Sequence, residues 1–344
     1  MLQLVAGLLL LIAGAELLVR GAIRLADSLK VRPLVIGLSV VALGSSAPQL
    51  AVSLQAAYAG TPDIAVGSLF GSNIFSLLVT LGLSALIIPL RVSRQLVRLD
   101  IPLLIGASAL VFGLAWNERL GRVEGALLLV ALALYLGVLW RQSRHPGRPA
   151  PRQSAAPWFK CIALMLGGLL LLVAGGHWLL EAAIEVAQDF GLSDRVIGLT
   201  IVAVGTSLPE LATSLSAALR GQREIAVGNV IGSNLFNLLG VLGLTALLTP
   251  EPLSVSPNAL DFDLPVMLGV AVLCLPLFYT GYRITRVEGL VLLGLYLAYG
   301  LHVVSFTTGM PLAGKLEQWM LFGVLPMLAV GVAVSSVRAW RRQH

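Results

Sequence analysis

Shifted by 161 residues, this chain matches itself. Leu11–Ile87 aligns with Leu172–Leu248 without a gap, and over Val35–Ile87 about 31 of 53 positions are identical. "VIGLSVVALGSSAPQLAVSLQAA" reappears as "VIGLTIVAVGTSLPELATSLSAA", and "IAVGSLFGSNIFSLLVTLGLSAL" as "IAVGNVIGSNLFNLLGVLGLTAL". An internal duplication of this kind requires both copies to fold into the same unit. The polarity of the copies says what that unit is. Apolar residues make up 57% of the 344 and charged residues only 12%, which is the balance of a chain dissolved in lipid. In hydrocarbon every backbone N–H and C=O must find a partner within the chain. Apolar runs of about 20 residues are therefore read as helices that cross the bilayer.

Eleven such runs are expected, at roughly 2–25, 33–58, 63–88, 97–115, 123–141, 158–187, 195–219, 224–248, 262–280, 287–306 and 318–338. The last follows "TTGMPLAGKLEQW", which also reads as a long loop, so the count is 10–11. Met1 to Val19 has no basic segment ahead of its apolar core and is expected to stay as the first span rather than be cleaved. Of the 23 Lys and Arg, 19 fall on one side of this arrangement; Arg119, Arg122, Arg195 and Lys315 fall on the other, together with Asp63, Glu251, Asp261 and Asp263. By the positive-inside rule the arginine-rich side is cytoplasmic, with the N-terminus outside and the C-terminus inside. The net charge of +6 is thus accounted for by topology. No basic run is interleaved with exposed aromatics, so nucleic acid is not an expected partner. The lipid bilayer is.

Equivalent points of the two copies are separated by five spans. Five is odd, so the copies enter the membrane from opposite faces. The expected fold is all-α and integral to a plasma (bacterial inner) membrane, with two inverted-topology repeats of five transmembrane helices. The first repeat is 1–141 with its motif at 37–87, and the second is 158–306 with its motif at 198–248. The basic, Pro- and Ser-rich segment 142–157 links them, and 307–344 adds an extra span and a basic tail. Inverted repeats are the common plan of secondary transporters, since exchanging the shapes of the two halves opens a central site to each face in turn.

Polar residues mark where that site lies. "GSSAPQLAVS" (44–53) and "GTSLPELATS" (205–214) place a proline inside each copy's apolar span. Pro48 and Pro209 lack an N–H and displace the carbonyl four residues earlier, leaving the oxygens of Gly44 and Gly205 without their usual partners. Such helix breaks are tolerated at this depth only where protein, water or an ion satisfies them. Ser45 and Gln49 share a helix face, with Ser46 alongside; Thr206, Ser207 and Glu210 are the counterparts. The next span of each copy adds Ser72 and Ser76, or Ser233 and Asn237, with Asn73 and Asn234 beside them. The sum is hydroxyl, amide and carbonyl oxygen plus one carboxylate, a donor set for hard cations such as Na⁺ and Ca²⁺. Ser and Gly in membrane helices ordinarily serve close packing. The recurrence of both motifs in both copies, with an intramembrane Glu in one, points instead to a functional site.

Other polar and reactive groups are assigned more modest parts. Glu16 and its counterpart His177 are expected to make structural hydrogen bonds, and Asp100, Asp261 and Asp263 to be solvated at span ends. Cys161 and Cys274 are expected to pack, with neither a disulfide framework nor a zinc spacing. No phosphate loop, nucleophile elbow or His/Cys cluster suggests an enzyme or a bound cofactor.

The motif pair "GSSAPQLAVS…GSNIFS" and "GTSLPELATS…GSNLFN" resembles the two alpha-repeats of the cation/calcium exchanger superfamily, the sodium/calcium exchangers and their bacterial relatives. The resemblance implies ten spans in two halves and exchange of Na⁺ for Ca²⁺ by alternating access. It also implies a central site to which Ser45, Ser46, Ser72, Thr206, Ser207, Glu210 and Ser233 contribute. The chain departs from the family's pattern at Gln49, where an acid is usual, at Ser76, where Asn is common, at Asn237, where Asp is frequent, and in its eleventh span. With Gln49 the site carries one formal charge. Divalent ions should lose more from that than monovalent ones, because contact attraction scales with the ion's charge. Exchange of Na⁺ for H⁺ at Glu210 is therefore the alternative expectation, and a channel or a transport-inactive scaffold is a further one.

Overall fold

A computed structural model describes residues 2–29, 31–143, 158–189, 203–279 and 281–307. Ten helices occupy them: α1 (Leu2–Leu29), α2 (Pro33–Tyr58), α3 (Pro62–Ile87), α4 (Leu96–Asn117), α5 (Arg122–Ser143), α6 (Trp158–Asp189), α7 (Ala203–Leu219), α8 (Arg223–Leu248), α9 (Ala259–Tyr279) and α10 (Arg286–Thr307). Nine of these are long and apolar enough to cross a membrane among the described residues. The exception is α7, which is described only from Ala203. The expected span at 318–338 and the linker from 144 to 157 lie outside the described residues.

The helices sort into centre and rim by burial. In α3 and α8, 89% of the apolar window is buried, against 22% in α5 and 28% in α10. Large aliphatic side chains such as Leu9, Leu134, Leu170 and Leu297 point outward, as lipid-facing residues must when the solvent is hydrocarbon. The two motif-bearing helices with the highest burial thus form the middle of the molecule.

The duplication is visible in the contacts. Among the described residues four short strands make two antiparallel ladders: β1 (Leu90–Arg91) pairs with β4 (Arg283–Ile284), and β2 (Arg119–Leu120) with β3 (Leu253–Ser254). Past Ile87 the second copy is longer by two residues at β3 and by three at β4, so that β1 corresponds to β3 and β2 to β4. The ladders are one pairing occurring twice with its partners exchanged. The arginine distribution puts them on opposite faces. Helices α1 and α6 obey the same rule. A Cβ on Gly14 would lie 2.7 Å from the carbonyl oxygen of Gly168, and one on Gly175 would lie 2.7 Å from that of Gly7. Shifting by 161 turns Gly7 into Gly168 and Gly14 into Gly175, so these two contacts also exchange. Only glycine permits backbones to approach this closely, which is how helices associate where lipid removes the hydrophobic drive.

Wide π turns interrupt several helices, at Gly37–Val41, Ser76–Thr80, Leu96–Asp100, Phe236–Val241 and Ala259–Asp263. Two of them have a direct cause. Pro102 and Pro265 follow by two residues, and their missing N–H groups release the carbonyls of Arg98 and Asp261 inside the turns. The expected breaks at Pro48 and Pro209 are milder than the sequence suggests. Both prolines sit inside continuous helix, Ala42–Tyr58 and Ala203–Leu219. One released carbonyl does not unwind a helix that its neighbours hold on several sides, and the departure from α geometry in α2 comes earlier, at Gly37–Val41.

Candidate functional site

Four helices converge on one carboxylate. Glu210, on α7, is 1% exposed. Its Oε1 accepts a hydrogen bond of 3.3 Å from Ser46 Oγ on α2, and its Oε2 accepts another from Ser76 Oγ on α3. Ser233 and Asn237 of α8 complete its surroundings. Ser76 and Asn237 are equivalent positions of the two copies, so the carboxylate is held between matching residues of α3 and α8. A carboxylate removed from water is tolerated only when it is hydrogen-bonded or faces a cation, and here the donors are neutral.

Around it the other motif residues are knitted together. Ser72 of α3 and Ser207 of α7 share a 2.6 Å hydrogen bond between hydroxyls. Ser45 donates to Asn229 Oδ1 at 3.0 Å, and Asn229 Nδ2 in turn donates to Ser214 Oγ at 2.9 Å and to the backbone carbonyl of Glu210 at 3.3 Å. Asn237 Nδ2 donates to Asn73 Oδ1 at 3.0 Å, while Asn73 Nδ2 rests 3.7 Å from the sulfur of Met267. Thr206 is buried beside Ser207. Asn234 and Ser233 each donate to the carbonyl of Val230, so part of their capacity is spent within α8. Gly205 is tight against α6, since a Cβ there would lie 2.6 Å from Leu180, and Gly44 faces Leu169 of the same helix.

Gln49 differs from the rest. It is the counterpart of Glu210 in the other copy and equally buried, at 1% exposure, yet neither its amide nitrogen nor its oxygen has a hydrogen-bond partner. The Oδ1 atoms of Asn234 and Asn237 are likewise without partners. Buried polar atoms left in this condition cost about 1–3 kcal/mol each. Of these, the Oδ1 of Asn237 belongs to a residue beside the Glu210 carboxylate, and an acceptor left open there is one that a cation would satisfy.

Among the described residues the ion pairs are Arg20–Glu16, Arg220–Glu16 and His177–Glu181. Glu16, expected to serve structure through hydrogen bonds, takes both arginines at once: Arg20 lies 2.5 Å away and Arg220 Nε donates at 2.7 Å. No cationic side chain among the described residues is paired with Glu210.

The structure corrects one expectation and adds residues that sequence reasoning missed. Asp100 and Asp263 are not solvated; they are 0% and 8% exposed, and Asp263 Oδ1 accepts from the Tyr299 hydroxyl at 3.0 Å. Their π turns open α4 and α9 earlier than hydropathy indicates and draw each aspartate into the bundle. Asp261 is exposed as expected, and Cys161 and Cys274 are buried, unpaired thiols. Asn229 and Ser214 were missed. Asn229 lies four residues before Ser233, and Ser214 four after Glu210, so helical periodicity put both on the motif face.

A helical membrane protein with duplicated motifs around a buried carboxylate has the plan of a membrane transport protein. More narrowly, the chain belongs to the sodium/calcium exchanger protein family, whose model matches residues 1–141 and 160–305. Among its relatives is the putative antiporter CaxA of Alkalimonas amylolytica, 38% identical over 302 residues covering 85% of this chain and 95% of CaxA. The sodium/calcium exchanger MaX1 of Methanosarcina acetivorans is 35% identical over 339 residues, covering 87% of this chain and 96% of MaX1. A solved structure of the sodium-calcium exchanger NCX_Mj superposes with a TM-score of 0.75 at 30% identity, covering 86% of this chain and 95% of that one.

Proposed function

We propose that this protein exchanges Na⁺ for Ca²⁺ across the bacterial plasma membrane through the Glu210 pocket, by alternating access of its two halves, 1–141 and 158–306. The observation that carries this reading is the burial of Glu210 among neutral donors from α2, α3 and α8, with the unpartnered oxygens of Gln49 and Asn237 close to the same motifs. Glu210 supplies the negative charge. Ser45, Ser46, Ser72, Ser76, Thr206, Ser207, Ser233 and Asn237 supply neutral oxygens that replace the ion's water shell, while Asn73 and Asn229 orient them. The exchangers among its relatives support the choice of ions. The arginine-rich ends of the helices face the cytoplasm, so the N-terminus is outside.

Gln49 favours a second reading, in which Glu210 alternates between a proton and Na⁺. One assay separates the readings. Purified protein is reconstituted in vesicles, and radiolabelled Ca²⁺ uptake is followed under an outward Na⁺ gradient. Na⁺-driven Ca²⁺ uptake supports exchange of those two ions. A Na⁺-coupled pH change without Ca²⁺ flux selects the proton reading, uncoupled flux a channel, and silence of every cation an inactive scaffold.

A further inference from the structure

The two-fold relation between the copies places a groove at each face of the molecule, and the two grooves carry opposite charge. The larger, about 870 Å³, is lined by Gly60, Pro62, Asp63 and Ser254 with Arg119 and Glu251. The smaller, about 380 Å³, is lined by Gly221, Arg223, Glu224 and Arg91 with Pro33 and Gln222. Gly60 corresponds to Gly221 and Asp63 to Glu224 in the repeat. The other two matched positions have changed, Pro62 to Arg223 and Ser254 to Arg91. Both changes bring an arginine into the smaller groove.

We infer that this smaller groove binds the phosphate of an anionic phospholipid. Among the described residues neither Arg91 nor Arg223 has a carboxylate within ion-pairing distance. Arg91 stands directly across the β1·β4 ladder from Arg283, and like charges so placed repel each other unless an anion lies nearby. The depth is that of a headgroup, because Arg223 opens α8 and Arg91 lies between the end of α3 and the start of α4. Basic pockets between membrane helices on this side are suited to acidic lipid headgroups, and the planar fork of arginine matches two phosphate oxygens at once. With Glu224 also lining the groove, the two arginines leave one net positive charge. That matches the single charge of a phosphodiester better than the higher charge of inorganic phosphate. The orientation rule accounts for how many arginines lie on this face, and Arg94, Arg98 and Arg286 serve it equally well. It does not account for two of them facing one concavity at the only matched positions that differ in kind from the opposite groove.

The inference is independent of which ions the protein carries. Native mass spectrometry of the full chain, purified and exposed to equal amounts of phosphatidylglycerol and phosphatidylcholine, reads it directly. Wild type should retain phosphatidylglycerol selectively. Arg91→Ala with Arg223→Ala should lower that affinity by about thirtyfold, Arg91→Lys with Arg223→Lys by less, and Arg119→Ala in the opposite groove not at all. Should the alanine pair fail to fold, the lysine pair and the wild-type preference still decide. Equal retention of the two lipids by wild type, or selectivity that survives the alanine pair, overturns the site. Displacement of the lipid by inorganic phosphate at matched concentration makes it a free-phosphate site instead.

Discussion

Replacing Gln49 by glutamate restores to the first copy the charge that the second already has, in a side chain of nearly the same shape. The amide it replaces is 1% exposed and makes no hydrogen bond, so the substitution breaks no observed hydrogen bond. At about 4 Å and an effective dielectric near 20, one unit charge attracts another by about 4 kcal/mol. A second carboxylate therefore adds about 4 kcal/mol for Na⁺ and about 8 kcal/mol for Ca²⁺. The difference of about 4 kcal/mol corresponds to roughly a thousandfold shift in relative affinity. Repulsion between the new carboxylate and Glu210 in the ion-free pocket lowers both gains by the same amount and leaves their difference, so the shift toward Ca²⁺ should remain. The assay is the half-saturating Ca²⁺ and Na⁺ concentrations for transport by wild type and Gln49→Glu in the same vesicles. A half-saturating Ca²⁺ concentration that stays put or rises in a properly folded variant refutes the electrostatic argument. It would show that Gln49 does not face the ion.

Glu210→Gln should abolish transport of every cation while the purified protein keeps its melting temperature; exchange at the wild-type rate would remove Glu210 from the site. Gly14→Val forces a side chain into the carbonyl of Gly168, where a Cβ alone would lie at 2.7 Å, so the variant should separate α1 from α6 and yield little folded protein on size-exclusion chromatography. Tyr299→Phe removes the hydroxyl that donates to the buried Asp263 and should cost about 1–3 kcal/mol of stability, read as a lower melting temperature; an unchanged value would mean that Asp263 finds another donor.

Much of this site is legible in the chain because its residues come in pairs. The offset of 161 alone matches Gln49 to Glu210 and Ser76 to Asn237, and the structure brings Ser46 and Ser76 onto the Glu210 carboxylate. The span count has a counterpart in the structure, since the ladders join segments that it assigns to common sides. The π turns are not. Each inserts a residue into a turn and rotates the rest of the helix, which a fixed 3.6-residue period does not anticipate. Asp100 and Asp263 were misplaced for that reason. The two-arginine grip on Glu16 is hidden as well, because Arg220 reaches it from 204 positions away. Asn229 escapes notice because it lies one helical turn before the repeated "GSN", at a position where the first copy has Ser68 and the two halves therefore do not advertise each other.

Locating a heavy cation in the protein tests the central claim most directly. Crystals soaked in Sr²⁺, which stands in for Ca²⁺ and scatters anomalously, should show a peak bounded by Glu210, Ser46 and Ser76, diminished when Na⁺ is raised. A peak confined to Glu16 or to the acidic groove of Asp63 and Glu251, with none beside Glu210, would contradict it.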